Sequence, residues 1–399
     1  MSLMSFDDAL AQLLAAARPV TEIEDVPLLE ADGRVLAQSL VSNLDVPPLD
    51  NSAMDGYAVR SADVLAAGTR LPVAQRIPAG SVGHALAAGS AARIFTGAQV
   101  PEGADAVVMQ ERCEREGDDV IINHVPRTGE NLRRRGEDIC VGAEILAAGA
   151  RLTPQALGLA ASIGSPRLAV WRRLRVALFF TGDELAMPGE PIKPGGIYNS
   201  NRFVLCAALE RLGCAVTDLG IVPDTLDATR DALRRAAAVS DLIVTSGGVS
   251  VGEEDYVKPA VEAEGTLAMW RLAIKPGKPL AYGRVQDADF IGLPGNPVSS
   301  FVTFLMLVRP FILKRMGAAN FLPHRLSLVA GFDWPHPDKR REFLRARHAT
   351  DGRLELFAHQ GSGVLTSTVW ADGLIDNPPE QAIHPGDVVQ YIPFGELLP

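Results

Sequence analysis

The stretch Asp241-Leu-Ile-Val-Thr-Ser-Gly-Gly-Val-Ser-Val-Gly252, followed by Glu253-Glu254-Asp255, sets the architecture of the chain. An apolar run with no polar alternation enters a glycine-rich loop, and the loop opens a helix. A strand that is apolar on both faces belongs in a parallel sheet covered by helices. The loop lets backbone N–H groups of Ser246, Gly247, Gly248 and Ser250 approach an anion, and the helix N-terminus adds positive potential. The plainer reading is a tight strand-to-helix turn that needs glycine only for its backbone angles.

On either side of this stretch, strands and helices alternate between about residues 172 and 317. Strands are expected at 175–180, 215–222, 242–244, 267–274 and 289–293, and helices at 201–212, 226–238, 254–263 and 297–316. That order predicts a mostly parallel α/β sheet in three layers, with ligands off the carboxyl ends of its strands. From about 45 to 145 the texture is different. Short β runs are separated by Gly, Pro and Asp turns every ~8–12 residues, which predicts an all-β module. Ser5 caps an amphipathic first helix carrying Phe6, Leu10, Leu13 and Leu14, and Thr153-Pro154 opens another. Beyond Pro323 short β runs return and predict a second, smaller β module.

The chain has 399 residues, too many for one ordinary core. With 47% hydrophobic and 22% charged residues it is of globular composition, which excludes wholesale disorder. A net charge of −10 argues against wrapping nucleic acid. The four cysteines form no C-x-x-C pair, so no zinc or thioredoxin-type motif is expected. The N-terminus has neither a basic region nor an apolar core of a signal peptide, and the apolar run 301–308 is far below the ~20 residues that span a bilayer. No membrane association and a cytoplasmic location are expected.

Three further segments carry chemistry. In Trp270-Arg-Leu-Ala-Ile-Lys-Pro-Gly-Lys-Pro279, a turn at Pro276-Gly277 lets Lys275 and Lys278 face one point, with Arg271 near by. Converging cations at a sheet edge suit phosphate or an oxyanion; a solvated turn is the plainer alternative. In Leu293-Pro-Gly-Asn-Pro297, Pro294 and Asn296 lead into a helix with Pro297 in its first turn. Carboxylates follow several strands: Asp183, Glu184, Asp224 and Asp255. Acids beside phosphates repel them unless a hard cation intervenes, so one or two of the carboxylates, with Glu184, Asp224 and Asp255 as the candidates, are expected to hold Mg²⁺. Asp183 reads better as an acid favouring a helix dipole. In the β module, Asp55 sits in a hairpin turn with Gly56, Thr96 lies in a small-residue loop, and Arg133-Arg134-Arg135 is a lesser anion candidate or a surface charge run. The pentad Gly248-Val-Ser-Val-Gly252 also fits a nucleophile elbow with Ser250 as the serine of a hydrolase. The histidines that would complete it (His324, His336, His348, His359 and His384) all lie in the β tail.

Taken together, six segments resemble the molybdopterin molybdenumtransferase family (MoeA and the E domain of gephyrin). They are Asn51-Ser-Ala-Met-Asp-Gly-Tyr-Ala58, Phe95-Thr-Gly-Ala98, Thr181-Gly-Asp-Glu-Leu185, Ser246-Gly-Gly-Val-Ser-Val-Gly252 with Asp255-Tyr256, Ile274-Lys-Pro-Gly-Lys-Pro279 and Leu293-Pro-Gly-Asn-Pro-Val298. The resemblance implies an elongated N-terminal domain (1–45 and 143–171), an inserted β domain (46–142), a molybdopterin-binding-like α/β domain (172–318) and a C-terminal β barrel (319–399). It implies a homodimer with the cleft between the α/β domain of one subunit and the inserted domain of the other. The implied reaction places molybdenum from molybdate into adenylyl-molybdopterin, with Mg²⁺, and releases AMP. Asp55, Thr96, Glu184, Asp224, Asp255, Lys275 and Lys278 would line the cleft. Arg271 stands where the family pattern has Lys, which keeps the charge and changes its geometry. A molybdopterin adenylyltransferase and downstream molybdenum-cofactor proteins would be partners. A non-catalytic scaffold of the same fold is the other reading.

Overall fold

The computed structural model describes residues 3–248 and 256–398. Its centre is a six-stranded sheet. The strands are β1 (Arg175–Thr181), β2 (Ala215–Val222), β3 (Leu242–Ser246), β4 (Gly265–Arg271), β5 (Pro279–Val285) and β6 (Ala288–Leu293), in spatial order β2-β1-β3-β6-β5-β4. β2, β1, β3 and β6 are parallel, while β5 and β4 add an antiparallel edge. Successive side chains of β1 serve opposite cores. Val176, Leu178 and Phe180 face one helical layer, and Ala177 and Phe179 the other. The first layer is built from α1 (Ser200–Leu212), the first helix of the chain (Phe6–Ala16) and the long helix that follows β6. The second is built from α2 (Leu226–Val239) and α3 (Val257–Glu264).

Local chemistry explains the helix ends. Ser5 accepts from the Asp8 amide, Asn199 from Arg202 and Thr225 from Ala228, so each cap satisfies an amide the helix leaves open. Gly213 ends α1 with φ +91°.

The expected strand 267–274 is two elements. β4 ends at Arg271, and Ile274–Lys275 is a separate short strand that pairs with a C-terminal strand. β5 was not expected, because its proline-rich start reads as loop. The helix over 297–316 is continuous from Pro297 to Arg315 but contains a π-helical turn at Phe304–Val308. Pro310 has no N–H to donate and its ring crowds the carbonyl four residues back, which accounts for the wider turn. By length and hydropathy this 19-residue helix is sufficient to cross a membrane, yet 83% of its apolar window is buried within the protein. It is the spine of the core.

Around this unit sit the other modules. Ile23–Pro27 pairs with Arg167–Trp171, and Leu40–Val41 with Glu144–Leu146, so the two ends of the N-terminal unit close on one another. Between them lies a mixed six-stranded sheet built from segments between Gly56 and Ile122. The C-terminal residues form a β unit in which Arg341–His348 is flanked by Gly373–Asn377 and by the two-residue strand Ile274–Lys275.

Asp241 anchors the amino end of β3. It accepts from Arg172 at 2.6 and 2.9 Å and from Arg175 at 2.8 Å, and from the Arg175 amide at 2.9 Å. Burial pushes its carboxyl upward, but the hydrogen bonds from Arg175 and Arg172 outweigh burial and hold it well below its ordinary 3.8. A group depressed in the folded state contributes stability above its unfolded pKa, and that stability is lost as pH falls below it. Asp241→Asn is therefore expected to cost about 3 kcal/mol at neutral pH. In urea melts, its gap from the wild type should narrow steadily below pH 3.8. A gap that is constant with pH would contradict the assignment.

Candidate active site

The carboxyl ends of β1, β3 and β6 bring three loops together: Thr181 to Glu184, Ser246 to Gly248 and Pro294 to Asn296. One hydroxyl ties them. Ser246 Oγ is buried, donates to the Pro294 carbonyl at 2.8 Å, accepts from Asn201 Nδ2 at 2.9 Å and lies 3.3 Å from Ser300 Oγ. The same Asn201 amide donates to the Gly295 carbonyl at 2.8 Å. Asn201 projects from the first turn of α1, so this helix staples the two loops. Gly247 closes the junction with φ +99°, and a Cβ there would stand 2.8 Å from the Thr181 carbonyl oxygen. Gly277 is similarly constrained: φ is +114°, and a Cβ would meet Thr303 Oγ1 at 2.3 Å. The lysine turn is thereby pressed against the start of the long helix.

The loops enclose a cleft of about 640 Å³. Its walls include Glu184, Ser246, Gly247, Lys275, Lys278, Pro294, Asn296 and Pro297, all expected from the sequence. Thr181 opens one of the quoted segments but is not among the site candidates read there, and other wall residues gave no sequence signal: Asn199 and Asn201 from the central unit, and Arg340, Gln360 and Ser362 from the C-terminal unit. The C-terminal loop is held in place by a hydrogen bond from the Val298 amide to the Ser362 carbonyl at 2.9 Å.

The lysines are not equivalent. Parallel pairing sets Lys275 opposite Glu342. Its Nζ lies 3.1 Å from Glu342 Oε1 and 3.5 Å from Asp338 Oδ2, with the side chain 37% exposed. Glu342 is fully buried and also accepts from Trp334 Nε1 at 2.9 Å. Asp338 receives two bonds from the Arg340 guanidinium, at 2.9 and 2.8 Å. Those bonds hold its carboxyl well below the usual carboxylate range. Lys278 also lines the cleft and has no carboxylate partner among the described residues. Behind Gly361, Arg345 is fully buried with no acid beside it among the described residues. It donates to the Phe343 carbonyl and Ser367 Oγ, and burial pushes its guanidinium down to about 10. The cleft is thus backed by positive charge from two units.

The remaining sequence candidates fall elsewhere. Arg271 is at the end of the edge strand β4, opposite Pro279, and is not part of the wall. Gly248 and Asp224 also lie outside it, Asp224 two residues past β2. Ser250 and Asp255 lie outside the described residues. Asp55 and Thr96 are together on the inserted β sheet: the Thr96 amide and hydroxyl both donate to Asp55 Oδ1 at 2.8 Å. The Thr96 amide and hydroxyl hold the Asp55 carboxyl below its ordinary range. No histidine lines the cleft among the described residues. Two of the five histidines that would complete a Ser250 hydrolase, His348 and His384, pair instead with Asp372 and Asp333 at 2.9 and 2.8 Å.

No group of three or more His, Cys, Asp or Glu side chains forms a metal cage among the described residues. Glu184 is the carboxylate in the wall. That donor set fits Mg²⁺ carried in with phosphate oxygens, since this ion commonly takes only one or two protein carboxylates.

A parallel sheet whose carboxyl edge gathers a glycine loop, a lysine turn and a C-terminal arginine is the architecture of an α/β enzyme, with its cleft where such sheets bind ligands. Residues 4–164 match the MoeA N-terminal region (domains I and II), 177–314 a probable molybdopterin binding domain, and 327–394 the MoeA C-terminal region (domain IV). The chain is 40% identical to the molybdopterin molybdenumtransferase of Haemophilus influenzae, over 99% of this chain and 100% of that one. It is 39% identical to molybdopterin molybdenumtransferase 2 of Mycobacterium tuberculosis, over 94% and 95%. The crystal structure of the molybdopterin biosynthesis moeA protein of Pyrococcus horikoshii superposes with a TM-score of 0.85 at 29% identity, covering 98% and 100% of the two chains. The chain belongs to the molybdopterin molybdenumtransferase (MoeA) family.

The unequal surroundings of the lysines give a test. Lys275→Ala leaves the buried Glu342 carboxylate without its cation and is expected to cost about 2 kcal/mol, a figure reduced for the partial exposure of Lys275. Lys278→Ala should unfold with the wild type. In the double variant Lys275→Ala, Glu342→Gln most of the lost stability should return. Denaturant midpoints that fall equally for the two single variants would contradict this division.

Proposed function

We propose that the chain is a transferase that inserts molybdenum from molybdate into adenylyl-molybdopterin and releases AMP, as a step in molybdenum cofactor biosynthesis. The observation that carries this reading is the cleft itself. Lys275 and Lys278 line one cavity of about 640 Å³ together with Ser246 and Gly247. A tetrahedral dianion needs N–H donors and positive charge, which Lys278 and Arg340 supply on the wall. The pterin phosphate, joined to AMP in an anhydride, presents the same chemistry at the carboxyl edge of the sheet.

In this reading a water attacks one phosphorus of the anhydride, the bridging P–O bond breaks, AMP leaves and the pterin keeps its own phosphate, while Lys278 binds the oxyanion and draws off the charge that develops. Lys275 sets the other side of the anion site, its position fixed by Glu342. Asn201 and Ser246 keep the two βα loops in register beneath the pterin. Glu184 and Asp224 are the residues proposed to hold Mg²⁺, which would neutralise the phosphate oxygens when bound. Asp255 is a further candidate.

Asp55 and Thr96 enter through assembly. In a homodimer, the inserted sheet of one copy would bring this hydrogen-bonded pair to the cleft of the other. The reading divides the chain into an N-terminal unit (1–45 and 143–171), an inserted unit (46–142), an α/β unit (172–318) and a C-terminal unit (319–399). A cytoplasmic location, with a molybdopterin adenylyltransferase supplying the substrate and downstream cofactor proteins receiving the product, completes the proposal. The alternative is a scaffold of the same fold without turnover.

Mixing the purified protein with adenylyl-molybdopterin, Mg²⁺ and molybdate decides between them. AMP should appear, and Lys278→Ala should slow its appearance by about a hundredfold with no change in unfolding midpoint. No AMP above the protein-free control would contradict the transferase reading.

A further inference from the structure

Two of the cations on the cleft wall are already engaged. Asp338 accepts two of the five N–H donors of the Arg340 guanidinium, from Nε and Nη2, and lies 3.5 Å from Lys275 Nζ, one side chain behind the wall. It is itself held firmly: the Arg340 amide donates to Asp338 Oδ1 at 3.0 Å, and the Asp338 amide donates to Glu342 Oε2 at 3.2 Å. Lys275, Lys278 and Arg340 therefore face Glu184, Asp338 and Glu342. These three cations and three acids balance, and the buried Arg345 behind Gly361 adds positive charge in the layer beyond them. The acids are not equivalent. Glu342 is sealed from solvent under Trp334 and Lys275, while Asp338 keeps 23% of its side chain exposed. Glu342 therefore anchors Lys275, and Asp338 is the acid nearest to an incoming anion on the C-terminal side.

We propose that Asp338 is a specificity-determining counter-ion: it offsets Lys275 and Arg340, so that the cleft holds a free oxyanion only weakly. This inference rests on the cleft being the molybdate site. Placing a doubly negative oxyanion among these cations sets it against the Asp338 charge at close range. A weakly held oxyanion exchanges with solvent, and tight binding then waits for further positive charge or donors to arrive with the second substrate. The unequal partners of the two lysines follow from the same arrangement. Lys278 lacks a described acid partner and keeps its full charge for the ligand, whereas Lys275 shares its charge with the C-terminal unit.

The test is equilibrium dialysis of the full chain with molybdate alone and with perrhenate, a tetrahedral oxyanion of single charge. Asp338→Asn keeps the turn acceptor and removes the charge. It is expected to tighten molybdate about tenfold and perrhenate about threefold, because the repulsion removed scales with the ligand charge. Asp338→Ser, a second uncharged variant that can cap the same turn, should shift both in the same direction, and Asp338→Glu should bind as the wild type does. A merely structural Asp338 would lower the melting temperature of the Asn and Ser variants and leave both affinities unchanged, which overturns the proposal. Weaker binding in these variants overturns it as well. Lys278→Ala separates the two levels of inference. If it binds molybdate as tightly as the wild type, the cleft is not the oxyanion site and the functional reading fails with it. If it loses molybdate while Asp338→Asn gains nothing, only the counter-ion role fails.

Discussion

The hydroxyl of Ser246 is the point on which the cleft turns. It donates to the loop after β6 and accepts from the first turn of α1 while ending β3. Parallel strands bring their carboxyl ends to one edge, but they do not fix how the loops lie there. The Ser246–Asn201–Gly295 clamp does. It sets the glycine loop beside the Pro294–Asn296 loop, and the long helix starts from that junction. Packing reinforces the hydrogen bonds, since at Gly247 and Gly277 an added methyl group would strike backbone or side chain within 3 Å.

The second constraint is electrostatic and joins two units. Ile274–Lys275 belongs by sequence to the central unit and by pairing to the C-terminal sheet. That two-residue strand sets Lys275 against Glu342, and through Asp338 it reaches Arg340. The C-terminal unit is consequently part of the cleft. It contributes a cation to the wall, a buried acid that orients a lysine and a loop that meets the start of the long helix.

Much of this was legible in the sequence. The apolar run at 242–244 announced a strand buried on both faces, and the glycines after it announced the loop. Lys275, Lys278, Pro294, Asn296 and Pro297 were found because prolines and glycines mark turns, and turns after strands of a parallel sheet share an edge. β5 was missed because a run that begins at a proline reads as loop, and its antiparallel pairing to β6 has no local signature. Arg340, Gln360 and Ser362 were missed for a different reason. They lie more than sixty residues beyond the lysines in a β tail, and only three-dimensional pairing brings them to the cleft. Asn201 looked like any polar residue in a first helical turn. The acids near the cleft were read as a metal cluster from their positions after strands; the structure puts Glu184 in the wall and shows that Lys275 is matched by two acids the sequence did not suggest.

The central claim is that the edge of the sheet between Lys275 and Lys278 receives the molybdenum oxyanion. Anomalous diffraction from crystals soaked in molybdate measures this most directly. A molybdenum peak with its oxygens about 3 Å from the Lys278 ammonium, inside the cleft and on the Ser246–Gly247 side, is the predicted result. A peak confined to arginines outside the cleft, with the lysine turn empty at saturating molybdate, would contradict the account.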